Sequence, residues 1–283
     1  PILGMPVKYK GSYNMSVSIT PSQDYDKREL AASSKIKGSL ETLRSHKEER
    51  GWTFEPGYTT AMDFTIKQIT GLVPPDNWLE EAVLEDSIAM AAMKAEQKPI
   101  FLKQCAAGAA KFDWSDHNAV TPVRDQGACG SCWAFGTHAA FEGSYAILNG
   151  VLIDTAEQDT LDCSGDGSCA GGWWAYQYLI DKGSANESDY PYVASKGSCR
   201  TDVKRPHQAI TWGYVDSSKE IPSVADLKLA LCEHGPLAIA VRVTSAFQSY
   251  SSGVFNETAT GKVNHAVTLT GWDDAKQAWR IKN

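Results

Sequence analysis

An α+β fold in two lobes, preceded by a mainly helical N-terminal region, is what this 283-residue sequence predicts, and three observations predict it. Residues 27–50 and 77–97 are rich in helix formers with apolar residues at helical spacing. A second helical run, from Cys132 to Leu148, follows the glycine turns at Gly127 and Gly130. After about Ser217, alternating apolar residues take over in 237–243, 263–269 and 279–283 and read as strands. The later part of the chain therefore divides into a helical half around Cys132 and a β-rich half around His265. With 42% hydrophobic residues and nine Trp, it can bury a substantial core as one large domain or two.

Residues 1–26 carry the turn signals Gly-Ser-Tyr-Asn and Thr-Pro-Ser-Gln-Asp, with one short strand predicted over Met15 to Ile19. The helix over 27–50 has Leu30, Ile36, Leu40 and Leu43 on one face and ends at Gly51, Pro56 and Gly57. A short helix is expected from Asp63 to Ile69. Gly71 and Pro74-Pro75 break the chain, and Asn77 with Glu80 makes a capping box that opens the helix to about Gln97. Residues 99–110 read as a connector, and their small-residue end is open to proteolysis. An extended run from Phe112 to Pro122 leads to the turn at Gln126. The helix from Cys132 places Trp133, Phe135, Phe141, Tyr145 and Ile147 among small residues, which suits burial, and Asn149-Gly150 stops it. A tight loop over 163–172, a short helix from Trp173 to Ile180, an extended link at Tyr190-Pro191-Tyr192 and a helix from Leu227 to His234 complete the prediction.

Composition narrows the function. Of the net charge of −7, residues 1–108 supply −1 (13 basic, 14 acidic) and residues 109–283 supply −6 (14 basic, 20 acidic). An acidic surface without a basic stripe argues against nucleic acid and anionic membranes as partners. No apolar run reaches membrane-spanning length. The chain opens on Pro1 with neither an initiator Met nor a charged-then-apolar leader, so any signal peptide is expected to have been removed or to lie outside this sequence, and the absence of a leader says little. Seven cysteines, an odd number, predict disulfides with at least one free thiol, and hence an oxidising compartment.

The chemistry centres on Gln126-Gly127-Ala128-Cys129-Gly130-Ser131-Cys132-Trp133-Ala134-Phe135. A thiol on the first turn of a helix faces unpaired N–H groups and the positive end of the helix dipole, which favour the nucleophilic thiolate. A thioredoxin-like redox motif would need a buried strand before Gln126, and none is evident. A zinc site from Cys129, Cys132, Cys163 and Cys169 would have its second pair six apart, wider than usual ligand spacing. Both readings stay open on spacing alone. A base for the thiol should be a histidine. His138 lies six residues along the same helix, rotated about 240° and raised about 9 Å, so it is read as a surface or helix-packing residue. His265 opens His-Ala-Val-Thr-Leu-Thr-Gly-Trp, a strand able to hold an imidazole rigidly.

The ordered matches then accumulate. Pro122-Val123-Arg124-Asp125-Gln126-Gly127 precedes Cys129-Gly130-Ser131-Cys132-Trp133-Ala134-Phe135. Glu157-Gln158, Leu161-Asp162-Cys163-Ser164-Gly165, Cys169 with Gly171-Gly172, Tyr190-Pro191-Tyr192, Asn264-His265-Ala266 and Trp279-Arg280-Ile281-Lys282-Asn283 follow. The sequence resembles the papain-like cysteine proteases, the family of papain and the cathepsins. That resemblance implies a papain-like two-lobed fold, with a helical lobe around a central catalytic helix and a β-barrel-like lobe. It implies Cys132 as nucleophile, His265 as general base and later acid, the two resting as a thiolate–imidazolium pair. Asn283 would orient the imidazole, and Gln126 with the backbone N–H of Cys132 would form the oxyanion hole. Gly171 and Gly172 would pair with an extended substrate. Trp173, Trp174, Ala240 and Ala266, with Asn264 beside them, would line the site for the residue two before the scissile bond, favouring a bulky apolar side chain.

The family's disulfides pair Cys129 with Cys169 and Cys163 with Cys199, leaving Cys132 free. Cys105 and Cys232 have no family partner; Cys232 is read as a buried thiol, with a Cys105–Cys232 bridge as the alternative. Residues 1–108 have the length and helix content of an inhibitory propeptide, expected to lay a stretch between Gly71 and Gly108 in the cleft, and residues 109–283 would be the peptidase domain. Of the propeptide's Gly-x-Asn-x-Phe-x-Asp motif, Gly57 and Asp63 are present but the Asn and Phe are not. A separate accessory domain is the rival reading of that region. Thr155-Ala156-Glu157-Gln158 departs from the family's Leu-Ser-Glu-Gln, and the family continues past the position of Asn283 with Ser-Trp-Gly and further strands, so more chain is expected there. The expected protein is a monomeric thiol endopeptidase made as a zymogen and needing no cofactor or metal, with protein or peptide substrates and its own propeptide as inhibitor. The other class of function is a catalytically silent binding protein on the same fold, which has no need of Cys132, His265, Asn283 and Gln126 together. The sequons at Asn14, Asn186 and Asn256 fit a secreted or lysosomal/vacuolar route, or a periplasmic or extracellular one in a bacterium.

Overall fold

The computed structural model describes residues 14–17, 25–96 and 104–283. Both N-terminal turn signals, the last predicted helical residue Gln97 and the first half of the connector lie outside the described residues or at their edge. The chain runs β1 (Asn14–Val17), α1 (Tyr25–Ala31), α2 (Ser34–Arg50), β2 (Phe54–Pro56), α3 (Ile66–Ile69), α4 (Trp78–Glu96) and β3 (Lys111–Asp113). It continues through α5 (Cys132–Asn149), α6 (Glu157–Cys163), β4 (Gly167–Ser168), β5 (Gly171–Gly172), α7 (Tyr176–Asp181) and α8 (Val224–His234). The last elements are β6 (Leu237–Val241), α9 (Ser245–Gln248), β7 (Tyr250–Gly253), β8 (His265–Asp273) and β9 (Ala278–Lys282).

Capping chemistry explains where several boundaries differ from the sequence reading. The single helix predicted over 27–50 is two, because Ser33 takes an extended conformation and its hydroxyl accepts the Ile36 N–H, starting α2 afresh. Gly51, in the left-handed region at φ 62°, ends that helix. The run 112–122 is not simply extended: Asp113 accepts the Ser115 N–H and starts a 3-10 turn over Trp114–His117. α8 begins three residues earlier than its apolar pattern because Ser223 and Asp226 form a reciprocal capping box. α6, α9 and β7 are too short to show a period.

β8 organises the sheet. Its first half pairs antiparallel with β6, Ala240 opposite Ala266 and Val241 opposite His265; its last three residues pair with β3. β9 takes the opposite edge, with Trp272 facing Trp279, and β1 adds to β9 in parallel. The sheet is open among the described residues, where the resemblance implied a barrel-like lobe, because its strand order does not return on itself. β8 is buried along nearly its whole length, since α5 covers one face. Gly136 and Gly143 allow that approach: a Cβ at Gly136 would stand 3.1 Å from the Ala266 Cβ, and one at Gly143 would stand 2.5 Å from Pro236.

Two apolar clusters result. One gathers Phe112, Trp114, Leu231, Ile239, Trp272, Trp279 and Ile281 around the sheet, and the other gathers Trp133, Phe141, Leu161, Tyr176 and Leu179 around α5. Burying each such side chain is worth roughly 1.5–3 kcal/mol. The N-terminal region enters both, through Leu43, Trp52 and Phe54 in the first and Leu72 and Ala82 in the second. β2 pairs antiparallel with β7, and the Asn256 side chain accepts from Thr53 N and donates to the Gly51 carbonyl, tying α2 to the sheet lobe. Disulfides join Cys129 to Cys169, Cys163 to Cys199 and Cys105 to Cys232. The last corrects the reading of Cys232 as a buried thiol: residues after 104 fold back against α8, bringing the two Cα atoms to 5.1 Å. No helix among the described residues is long and apolar enough to cross a membrane.

Candidate active site

The free thiol among the described residues, Cys132, is fully buried at the first turn of α5, within the α5 cluster. The turn before it is held from outside. Gly127 adopts φ 58°, the Asp125 carboxylate accepts its N–H, and the Tyr192 hydroxyl donates to the Gln126 carbonyl at 2.9 Å. Tyr192 also shares a 2.5 Å hydrogen bond with the Ser131 hydroxyl. The sequence reading took Tyr192 only as part of an extended link; its ring packing on Phe135, at 4.9 Å, comes from a contact 57 residues away that no local pattern encodes.

β8 delivers His265 to the same place. Its Nε2 lies 2.7 Å from Asn283 Oδ1, so the amide oxygen accepts the imidazole N–H and fixes the ring, while Nδ1 is buried without a hydrogen-bond partner. The backbone of Ala266, next in the strand, lies against the Cys132 sulfur. Asn283 follows Lys282, whose ammonium donates to Thr121 Oγ1 at 2.7 Å; Thr121 donates in turn to Glu142 of α5 at 2.6 Å. This buried chain fastens the strand end to the helical lobe. Burial lifts the Glu142 carboxyl above its ordinary value and lowers Lys282, each opposed by the other's charge. Behind them, His138 is buried with Nδ1 on the Thr155 hydroxyl and Nε2 on that of Thr160, both at 2.7 Å. It is therefore a core packing residue, not a surface one.

A strap of backbone from Ile69 to Val73 covers the site. Gly71 N and Leu72 N both donate to the Asn264 carbonyl at 3.0 Å, Gly172 N donates to the Gly71 carbonyl at 2.8 Å, and Val73 N donates to the Gly172 carbonyl at 2.9 Å. Leu72 pairs with Gly172 in parallel. Gln126 Nε2 donates to the Ile69 carbonyl at 3.2 Å and to the Cys129 carbonyl at 2.8 Å. The strap lies at the very start of the window expected from sequence, and two residues before it. Gly71 is needed for the approach, since its Cβ would stand 1.8 Å from the Gly130 carbonyl oxygen. Gly172 has no room either, with Trp133 2.7 Å from its notional Cβ.

Around the strap, Leu72 belongs to one buried cluster with Trp174, Ala240 and Ala266, and Trp173 packs on it from the half-exposed side. Trp174 is deeper than a pocket wall, its ring edge 3.2 Å from a notional Cβ at Gly136. The Asn264 side chain bonds both backbone groups of Val243, leaving its own carbonyl to the strap. Burial under this cover pushes the Cys132 thiol up to about 11, against the pull of the Ala266, Gly71, Trp133 and Leu72 backbone, and lowers His265 against its Asn283 hydrogen bond. Both shifts favour the neutral thiol and imidazole, so the ion pair expected from sequence is disfavoured while the strap is in place.

A buried thiol at a helix start, beside an amide-oriented imidazole and a side-chain amide donor, in a cleft between helical and sheet lobes, defines a thiol-hydrolase class of site. The family profile described as papain family cysteine protease matches residues 108–283. Ananain of Ananas comosus is 31% identical over 260 residues, spanning 88% of this chain and 70% of ananain. Among solved structures, a recombinant stem bromelain precursor is similar at TM-score 0.65 and 28% identity, covering 90% of this chain and 78% of its own. Digestive procathepsin L 3 of Tenebrio molitor larval midgut matches at TM-score 0.63 and 25% identity, covering 94% and 90%. The chain belongs to the papain family and is a cysteine peptidase.

Proposed function

We propose that this chain is a zymogen of a thiol endopeptidase in which Cys132 is the nucleophile, His265 the base and then acid, Asn283 the orienting group and Gln126 an oxyanion donor. The observation that carries this reading is the meeting of Cys132, His265 and Gln126 under one segment of backbone, with Asn283 holding the imidazole and Gln126 donating to the Ile69 carbonyl where a reacting carbonyl would need it. Once the strap leaves, water and the helix dipole favour transfer of the Cys132 proton to His265. The thiolate adds to the scissile carbonyl, the oxyanion takes the N–H donors of Gln126 and of the Cys132 backbone, and His265 protonates the leaving amine. Water, deprotonated by His265, then hydrolyses the thioester and frees Cys132.

Residues 1–108 act as the inhibitory propeptide and 109–283 as the peptidase domain. The strap runs from the catalytic centre at Ile69 toward Gly172 at Leu72. A substrate whose residue two before the scissile bond sits by Gly172 runs the other way, so the strap blocks the cleft without presenting a cleavable bond in register. Leu72, buried beside Ala240 and Ala266, supports a preference for a bulky apolar residue at that position. Three disulfides support an oxidising secretory or vacuolar route.

The test is acid activation of the full chain followed by alkylation. We expect Cys132 to label slowly before activation and rapidly near pH 5 after it, with a cut near residues 105–112; the N-terminal fragment, which keeps Cys105, separates once the Cys105–Cys232 bridge is reduced. Slow labelling after activation, with the pH dependence of an ordinary thiol, would rule out the catalytic assignment.

A further inference from the structure

We propose that an aromatic ledge beside the cleft, formed by Trp173, Trp212 and Tyr214, is a second peptide-binding site. It takes an aromatic side chain with a carboxylate nearby, from the part of a substrate that lies N-terminal to the residues in the cleft. This rests on the peptidase reading above.

The ledge is continuous with the cleft, since Trp173 directly follows Gly172, the residue that pairs with the strap. It is also rigid. Trp173 packs on Trp174 at 5.1 Å, Trp212 stacks on the fully buried Tyr176 at 5.3 Å, and Tyr214 packs on Trp212 at 5.3 Å. Preformed aromatic surfaces of this kind bind at small entropic cost.

What the ledge accepts is visible in α4, which occupies it. The Trp78 ring lies 6.0 Å from that of Tyr214, Ala82 is fully buried in the same cluster, and Asp86 Oδ1 accepts the Tyr214 backbone N–H at 2.6 Å. These residues are four apart and share one helical face. By contrast Val83, Leu84, Ile88 and Met90 of the same helix are exposed, so α4 is held by one aromatic ring, the close approach of the small Ala82 and Ala89, and one carboxylate rather than by large apolar side chains.

The direction of the strap says which part of a substrate would arrive there. From Leu72 and Val73 the chain moves away from Cys132, through Pro74 and Pro75, to Trp78 on the ledge. A substrate of opposite polarity, with its residue two before the scissile bond in place of Leu72, brings its more N-terminal residues along that same route. Departure of α4 with the rest of the N-terminal region uncovers the ledge for them.

The experiment measures kcat/KM of the acid-activated full chain on fluorogenic peptides sharing leucine two before the scissile bond. Tryptophan is placed at each position from roughly four to eight before that bond, with or without aspartate N-terminal to it, against a glycine-serine control. We expect one placement to raise kcat/KM about tenfold over the control, the size of a good aromatic contact plus a charge-assisted hydrogen bond. Tyr214→Ala should remove the gain that tryptophan brings, sparing only what aspartate adds through the backbone N–H at position 214, and leave the control peptide unchanged. Trp212→Phe, a milder change, should reduce it, so that misfolding of one variant does not decide the matter. Equal rates for every placement, or a tryptophan gain that survives both substitutions, would overturn the ledge alone. Hydrolysis of no peptide at all would remove the peptidase reading and the ledge with it.

Discussion

Under the strap, burial raises the Cys132 thiol and lowers His265, both shifts favouring the neutral pair, so in the proposed mechanism uncovering the site would favour the ion pair. Gln126 shows what the open site would use. Its amide is engaged by the Ile69 carbonyl in the covered state, and Gln126→Ala should lower kcat of the activated chain by about 100-fold with little change in KM, the loss of one oxyanion donor. A second residue-scale consequence concerns acid. His138 is buried between two hydroxyls, and burial lowers its pKa from 6.5 to about 3. Between those values the unfolded chain binds a proton that the folded chain does not, so its contribution to stability falls as pH drops from 6.5 toward 3, by up to about 1.4 kcal/mol per pH unit. Urea unfolding at pH 6.5 and pH 4 should show this loss, and His138→Gln should be less stable at pH 6.5 yet lose less on acidification. An equal acid-side loss in the variant would remove His138 as its source.

At the scale of elements, the strap is held by four backbone hydrogen bonds and the absence of one side chain. A Cβ at position 71 cannot fit beneath the Gly130 carbonyl, so Gly71→Ala should displace the strap rather than the helix behind it, which is more deeply packed. Overpacking of this kind costs about 1–3 kcal/mol, and Cys132 in the unprocessed variant should alkylate roughly tenfold to a hundredfold faster than in the parent. An unchanged rate would show that the strap is not what covers the thiol. α5 owes its position to the same device in reverse, with Gly136 and Gly143 admitting Ala266 and Pro236.

For the whole molecule, the N-terminal region and the two lobes share their cores, through Phe54 against Phe255 at 4.6 Å and Leu72 and Ala82 in the α5 cluster. The Cys105–Cys232 bridge spans 127 residues of sequence and ties the end of the N-terminal region to α8. Removing it with Cys105→Ser and Cys232→Ser together should cost about 2–4 kcal/mol and lower the melting temperature by roughly 5–10 °C under oxidising conditions. Under strong reductant the parent and variant should melt alike, and any persistent difference would point to packing at the two positions instead.

The sequence alone determined the element types of the long periodic segments, the helix start at Cys132, the strand that carries His265 and the kinship of the later part of the chain, because each is written in local spacing and ordered motifs. It did not determine where short elements begin, since α6, α9 and β7 are set by caps and neighbours and are too short to show a period. Tertiary structure decided the rest. Cys105 met Cys232 because the chain folds back on α8, Tyr192 braced the turn at Gln126 from a distant segment, and His138 went from a residue of ambiguous exposure to the centre of a hydroxyl pair. It also decided the protonation of the site. A thiol on a helix start favours its anion in water, and the strap across Gly172 and Asn264, absent from any local pattern, joins the α5 cluster in excluding the water on which that preference depends.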